Sequence, residues 1–431
     1  MRHNKEEFMR TMKRVAAVAL SVVVLMTSGV SAKAAVTDVQ PAKSSSEAVL
    51  KWAKKVGEPF DEKTYANNTV SKIKLVGNYL YVADDAKHRI MKIDKKDGTI
   101  LKEQKYCDES YIQGYVSSIG YGDGKVYVGY DNGRVQAFDE NTLESLWITD
   151  ENKNAINSDF VFTNGKLYFG TTAKTTDWYD NGAPFSYYVV TTSDDDKTKP
   201  DEEKTMKKVV ESKTGKFYLK KGVVLGKYIV ISDTAGTLTM IDTTNDKVTD
   251  TKDIGEAFSG NITYDEMTGT IYFVAGTNDL YGIKVSADGK LKDEKKVRLY
   301  ETGYSSTTPE VYNGKVYVSG SKGKAFQDKG YMAVADVSSD KYKVNYTVEL
   351  SNYSQCEPTI VKTGENSVRV YFTINDEPGG IYAIEDSKDA TSATLETVYE
   401  PTGDIKNTGC MSDVVVDEDG TIYFANDSKY I

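Results

Sequence analysis

The chain is poor in the residues that most often do chemistry. It has two histidines, His3 and His88, and only His88 lies beyond the N-terminal apolar segment. That excludes histidine-rich zinc or copper sites there and leaves Ser-His-Asp catalysis resting on His88 alone. Asp194, Asp195 and Asp196 are consecutive, a spacing poorly suited to converge on one calcium ion, so no metal site is expected. Asp and Glu are abundant, but no spacing singles out a carboxylate pair for glycoside hydrolysis. What remains is recognition chemistry. Trp178, Tyr179, Phe185 and Phe326 are large aromatics in polar stretches, with Tyr304 and Tyr353 at junctions. Exposed aromatics beside Asn and Asp suit a protein partner or sugar stacking, although the same residues would also serve folded back over the scaffold.

A repeat must position them. In Gly124 to Thr149, Lys125 to Gly129 is a β-branched and aromatic run, Asp131-Asn132-Gly133 is a turn signal, and Arg134 to Phe138 alternates in period two. Leu143 to Thr149 follows as a third strand around Trp147. The core phrase recurs around Tyr81, Tyr127, Tyr168, Ile229, Tyr272, Tyr317, Tyr371 and Tyr423, at intervals of 41 to 61 residues. Eight anchors at that period, with four strand signals per unit, predict an all-β, eight-bladed β-propeller of four-stranded antiparallel blades.

The turn Ala137-Phe138-Asp139-Glu140-Asn141-Thr142 leading to Trp147 resembles the repeat of the PQQ-like (quinoprotein alcohol dehydrogenase-like) propellers. Degenerate copies are Lys92-Ile93-Asp94, Met240-Ile241-Asp242 and Val334-Ala335-Asp336, and Thr307 through Ser319 is similar to the family's innermost-strand entry. The family includes quinone-dependent dehydrogenases and non-catalytic members such as the bacterial outer-membrane assembly propeller. Catalytic members use calcium, a carboxylate base, often two adjacent cysteines, and a tryptophan floor under the quinone. This chain has no Cys-Cys pair, Trp52 and Trp147 are assigned to outer strands, and Trp178 to a surface loop. The resemblance therefore implies a non-catalytic secreted member without PQQ or calcium, the dehydrogenase standing as an alternative.

The ends of the chain carry two further expectations. Arg10, Lys13 and Arg14 precede an apolar run from Val15 to Val30, and Ala32-Lys33-Ala34 supplies small residues for cleavage, so residues 1–34 read as a signal peptide cleaved near Ala34. Residues 35–46 read as a flexible leader and residues 47–431 as the propeller. The last repeat is short, and Leu50-Lys51-Trp52 echoes Leu146-Trp147, so Val49 to Lys55 is expected to supply its outer strand and close the ring by pairing the termini.

Charge narrows the partners. The net charge is -10, and residues 1–34 carry six Lys/Arg and two Asp/Glu, which leaves the mature chain near -14. An acidic surface disfavours nucleic acid and anionic membranes and suits a secreted, extracellular or envelope-located monomer without stable membrane insertion. The function expected is a binding scaffold for protein partners, with an extracellular glycan as the alternative. Cys356 and Cys410 lie 15 and 13 residues before Tyr371 and Tyr423, nearly equivalent sites of adjacent blades, and form a disulfide candidate in an oxidising compartment. Asp194 to Lys208 is a charged run expected as a solvated connector.

Overall fold

A computed structural model describes residues 35, 37–57, 70–85, 87–107, 119–174, 183–193, 202–323, 328–406, 409–410 and 412–431. These fold into eight successive antiparallel sheets. The first runs Lys74–Val76, Tyr79–Asp84, Arg89–Asp94 and Ile100–Lys105, in that order. The same up-and-down order repeats through the seventh sheet, Thr359–Lys362, Ser367–Thr373, Ile381–Ser387 and Leu395–Tyr399. The eighth has two strands, Val415–Val416 and Ile422–Tyr423. Every repeat anchor falls on a strand, the second of its sheet.

The reason lies in burial. The second strand is covered on both faces by neighbouring sheets, so all six residues of Thr270–Ala275 are buried, whereas the outer strand Ile100–Lys105 is mostly exposed. Apolar side chains gather in eight clusters, one between each pair of successive sheets. Tyr317, Met332 and Val334 meet Val370 and Phe372 between the sixth and seventh, for example. The eighth cluster joins Tyr423 and Ile431 to Leu80, Val82 and Met91 of the first sheet.

In several repeats the tyrosine latches its sheet to the next through its hydroxyl. Tyr81 donates to the carbonyl of Glu140 (2.7 Å), Tyr168 to Asp246 (2.6 Å) and Tyr317 to Asp386 (2.7 Å). In two repeats the lysine two residues earlier joins in, Lys166 on Asp246 at 2.7 Å and Lys315 on Asp386 at 2.9 Å. Tyr423 of the last sheet reaches the carbonyl of Lys95 in the first, at 3.1 Å.

Three expectations are corrected. Val49 to Lys55 does not form a regular strand: the pairing is confined to Lys54 and Val56 against Lys429 and Ile431, with backbone bonds of 2.9 to 3.0 Å. Val49 and Leu50 are instead 81% and 51% exposed. Residues 35–46 are laid along the last two sheets rather than detached: Ala35 pairs in parallel with Val361, and Tyr371 donates to the carbonyl of Ala42 at 2.9 Å. The charged run is partly sheet, since Glu202–Lys204 adds in parallel to the edge of Ser145–Thr149 and Lys207–Ser212 is the outer strand of the third sheet. An unpaired sheet edge supplies backbone partners whatever the side chains, and Lys204 covers the Trp147 ring at 5.3 Å. Residues 194–201 lie outside the described residues.

Candidate functional site

The innermost strands begin around a common space. A cavity of about 370 Å³ is lined by the entry residues of seven of the eight sheets, from Lys72 in the first to Asp413 in the eighth. A strand entry has few ladder partners, so its side chains are free to point inward, and here many of them are charged. Lys221 of the fourth sheet reaches Glu357 of the seventh at 2.7 Å, and Lys72 pairs with Asp413 at 2.7 Å. Asp413 also accepts from the Glu357 backbone N–H at 2.8 Å. Glu310 stands beside the Glu357 carboxyl, while Asp159 and Lys74 complete the charged wall.

Crowding sets the protonation states. Burial and the neighbouring Glu357 charge hold Glu310 well above the ordinary glutamate range. Burial works against ionisation of Glu357 too, but Lys221 and Lys72 bring it down to about 2. Burial lowers Lys72 and Lys221, yet the carboxylates facing them more than reverse this and both end above ordinary lysine. Lys74 is different: burial and then the like charge of Lys221 leave it below the ordinary value. Among the described residues, Lys74 has neither a hydrogen bond nor an ion pair.

None of these seven residues was singled out by sequence reasoning. A signal existed, because each stands seven to fourteen residues before its repeat anchor, where the innermost strand begins. The aromatic candidates are distributed differently. Trp178, Tyr179 and Phe326 lie outside the described residues. Phe185 is a core residue, 1% exposed on Phe185–Thr191 and packed in the cluster of the third and fourth sheets. Tyr353 is also buried, with its hydroxyl 2.6 Å from Asn375 Nδ2, and lies near half-buried Tyr304, whose backbone pairs with Ser321. Both fold against the scaffold because strand-entry loops are short and their aromatic rings find apolar cover there.

The cysteines are all free thiols. Cys356 Sγ accepts the Thr373 N–H at 3.2 Å and Cys410 Sγ donates to the Ala425 carbonyl at 3.1 Å, so each thiol is engaged within its own sheet rather than bridged. Trp147 is fully buried between the second and third sheets, against Tyr127, and Trp52 packs on Tyr423 and donates to the Lys95 carbonyl. Neither lines the cavity. Among the described residues, no group of three or more His, Cys, Asp or Glu has an arrangement that could hold a metal, and no helix is long and apolar enough to cross a membrane.

These features define the class: the fold is a PQQ-like β-propeller. BamB from Moraxella catarrhalis superposes with a TM-score of 0.56 at 11% identity, over 88% of this chain and 98% of that one. The quinohemoprotein alcohol dehydrogenase ADHIIG from Pseudomonas putida HK5 gives 0.59 at 11%, over 90% and 73%. The computationally designed protein Ika8 gives 0.52 at 11%, over 83% and 95%. At such identity the likeness is one of fold alone. No protein-family model and no curated protein matches the sequence.

Proposed function

We propose that the chain is an exported, non-catalytic propeller that acts as a binding scaffold for a protein partner outside the cell or in its envelope. Its ring is closed where Lys54 and Val56 pair with Lys429 and Ile431, and residues 1–34 are removed on export. The partner is held on the face carrying the long loops of residues 171–184 and 319–330, with Trp178, Tyr179 and Phe326 as anchors and Tyr304 and Tyr353 packed beneath.

The observation that carries this reading is the ion pair between Lys221 and Glu357 inside the ring. The described cavity residues do not fit a quinone with calcium. The carboxylates that would be needed as ligands or base are tied to Lys221 and Lys72, and Trp52 and Trp147 are spent between sheets. The extent of the fold match points the same way, since it takes in 98% of BamB but 73% of the dehydrogenase.

Titration of the purified protein with pyrroloquinoline quinone plus calcium, followed by tryptophan fluorescence and dye-linked alcohol oxidation, tests the reading. No saturable binding and no turnover is expected; binding with turnover would overturn it. In partner recovery from the secretion milieu, Trp178→Ala with Phe326→Ala is expected to abolish capture that the parent protein supports, and undiminished capture would remove the loop face from the model of function.

A further inference from the structure

The cavity described above leaves one of its charged groups without a contact partner. Its charged wall comprises Lys72, Lys74, Lys221, Asp159, Glu310, Glu357 and Asp413. With Glu310 holding its proton, three ammonium groups face three carboxylates. Asp413 is answered by Lys72 and a backbone N–H, and Glu357 by Lys221. Those two carboxylates are therefore engaged, and Asp159 acts on Lys74 through its charge alone. Lys74 alone among the wall's lysines has no contact partner, while three N–H donors of its ammonium remain available. It is also crowded by Lys221, a repulsion that an incoming anion would relieve.

The geometry points to a binding site for a small organic carboxylate in this cavity, its charged group paired with Lys74 and its carbon body against Ile119, Phe160 and Pro358. A volume of about 370 Å³ suits a small metabolite and lies in the usual range of ligand pockets, roughly 300–1,000 Å³. A cation is disfavoured because Glu357 and Asp413 already have ammonium partners at 2.7 Å and no group of three carboxylates among the described residues is arranged to hold a metal ion. Phosphate is disfavoured because a single unpaired lysine, without an arginine fork in the wall, supplies one counter-charge rather than two. A planar monoanion with an apolar tail matches one free ammonium beside apolar surface. This inference is independent of the partner-binding reading, which concerns the loop face.

The test is a thermal-melt and calorimetric titration of the full protein at constant ionic strength. The probes are sodium butyrate, glutarate and benzoate, with inorganic phosphate and chloride as comparisons. At least one carboxylate is expected to raise the melting temperature saturably, and Lys74→Met to weaken its binding by about tenfold or more, the scale of one charge-assisted hydrogen bond. Lys74→Arg, which keeps the charge, is expected to retain binding. Lys74→Met without probe should melt no lower than the parent, since it removes an ammonium that lacks a partner. The proposal is overturned if no carboxylate acts beyond chloride, if phosphate alone acts, or if Lys74→Met responds as the parent does.

Discussion

Lys221 and Glu357 are separated by 136 residues and by two intervening sheets, yet their side chains meet at 2.7 Å across the central space. A contact of that kind ties non-adjacent blades together, in addition to the apolar clusters that join each to its neighbours. Both groups are partly open to the cavity, so its value lies below that of a fully buried pair. Lys221→Met is expected to cost about 2 kcal/mol, because it strands the Glu357 charge beside Glu310. The double variant Lys221→Met with Glu357→Gln should recover about half of that loss. Chemical denaturation of the two variants checks it, and simple additivity would show that the residues are not coupled.

Glu310 makes stability depend on pH in a defined direction. Its native pKa lies above the unfolded one, so the native state holds this proton more tightly. That contribution is present below the ordinary glutamate range and is lost as pH rises through the native value. Glu310→Gln keeps a donor toward Glu357 without the titration. Relative to the parent, its melting temperature should therefore climb as pH is raised from 5 to 9. A constant difference across that range would mean that Glu310 is ionised throughout.

The latch at Asp386 should be the most sensitive polar position of the scaffold. It accepts from Lys315, from Tyr317 and from Tyr346, and the Lys315–Asp386 pair is almost fully enclosed, at 8% and 1% exposure. Asp386→Ala leaves a buried ammonium and two hydroxyls without their acceptor, an expected loss of about 3 kcal/mol. Asp340→Ala, at a fully exposed carboxylate paired with Lys295, should leave stability nearly unchanged. Equal effects from both would refute the role given to the latch.

Removing residues 35–56 should destabilise the protein, because it deletes the backbone bonds to Lys429 and Ile431 and uncovers Tyr423 and Gly98, against which Trp52 packs. A circular dichroism melt of a chain starting at Gly57 is expected to fall by several degrees, and Trp52→Ala alone to cost about 2 kcal/mol. An unchanged melt would show that the ring does not depend on this segment.

The thiols give a chemical check. Cys356 and Cys410 are fully buried, and burial raises both above ordinary thiols. Alkylation of the native protein should therefore be confined to half-buried Cys107 on the short time scale. After unfolding without reductant, the intact mass should show three alkyl groups. Two fewer would mean that Cys356 and Cys410 are bridged after all.

The sequence by itself determined the repeat, and with it the sheets. A Tyr flanked by aliphatics after a Gly turn is a local signal, and it marks a strand covered on both faces wherever it occurs, from Tyr81 to Tyr423. It also placed Trp147 on an outer strand, because the turn before it is written in adjacent residues. Tertiary structure alone decided which side chains share the centre. Lys72, Lys221, Glu357 and Asp413 lie in four different repeats, and each reads locally as an ordinary charged residue at the start of a strand. Only the packing of successive sheets against one another brings those starts together. Phe185 failed as a loop aromatic because it opens the strand run Phe185-Ser186-Tyr187-Tyr188-Val189-Val190 instead of ending the polar stretch before it, and its cover includes Phe217 and Ile229, which belong to a later part of the chain.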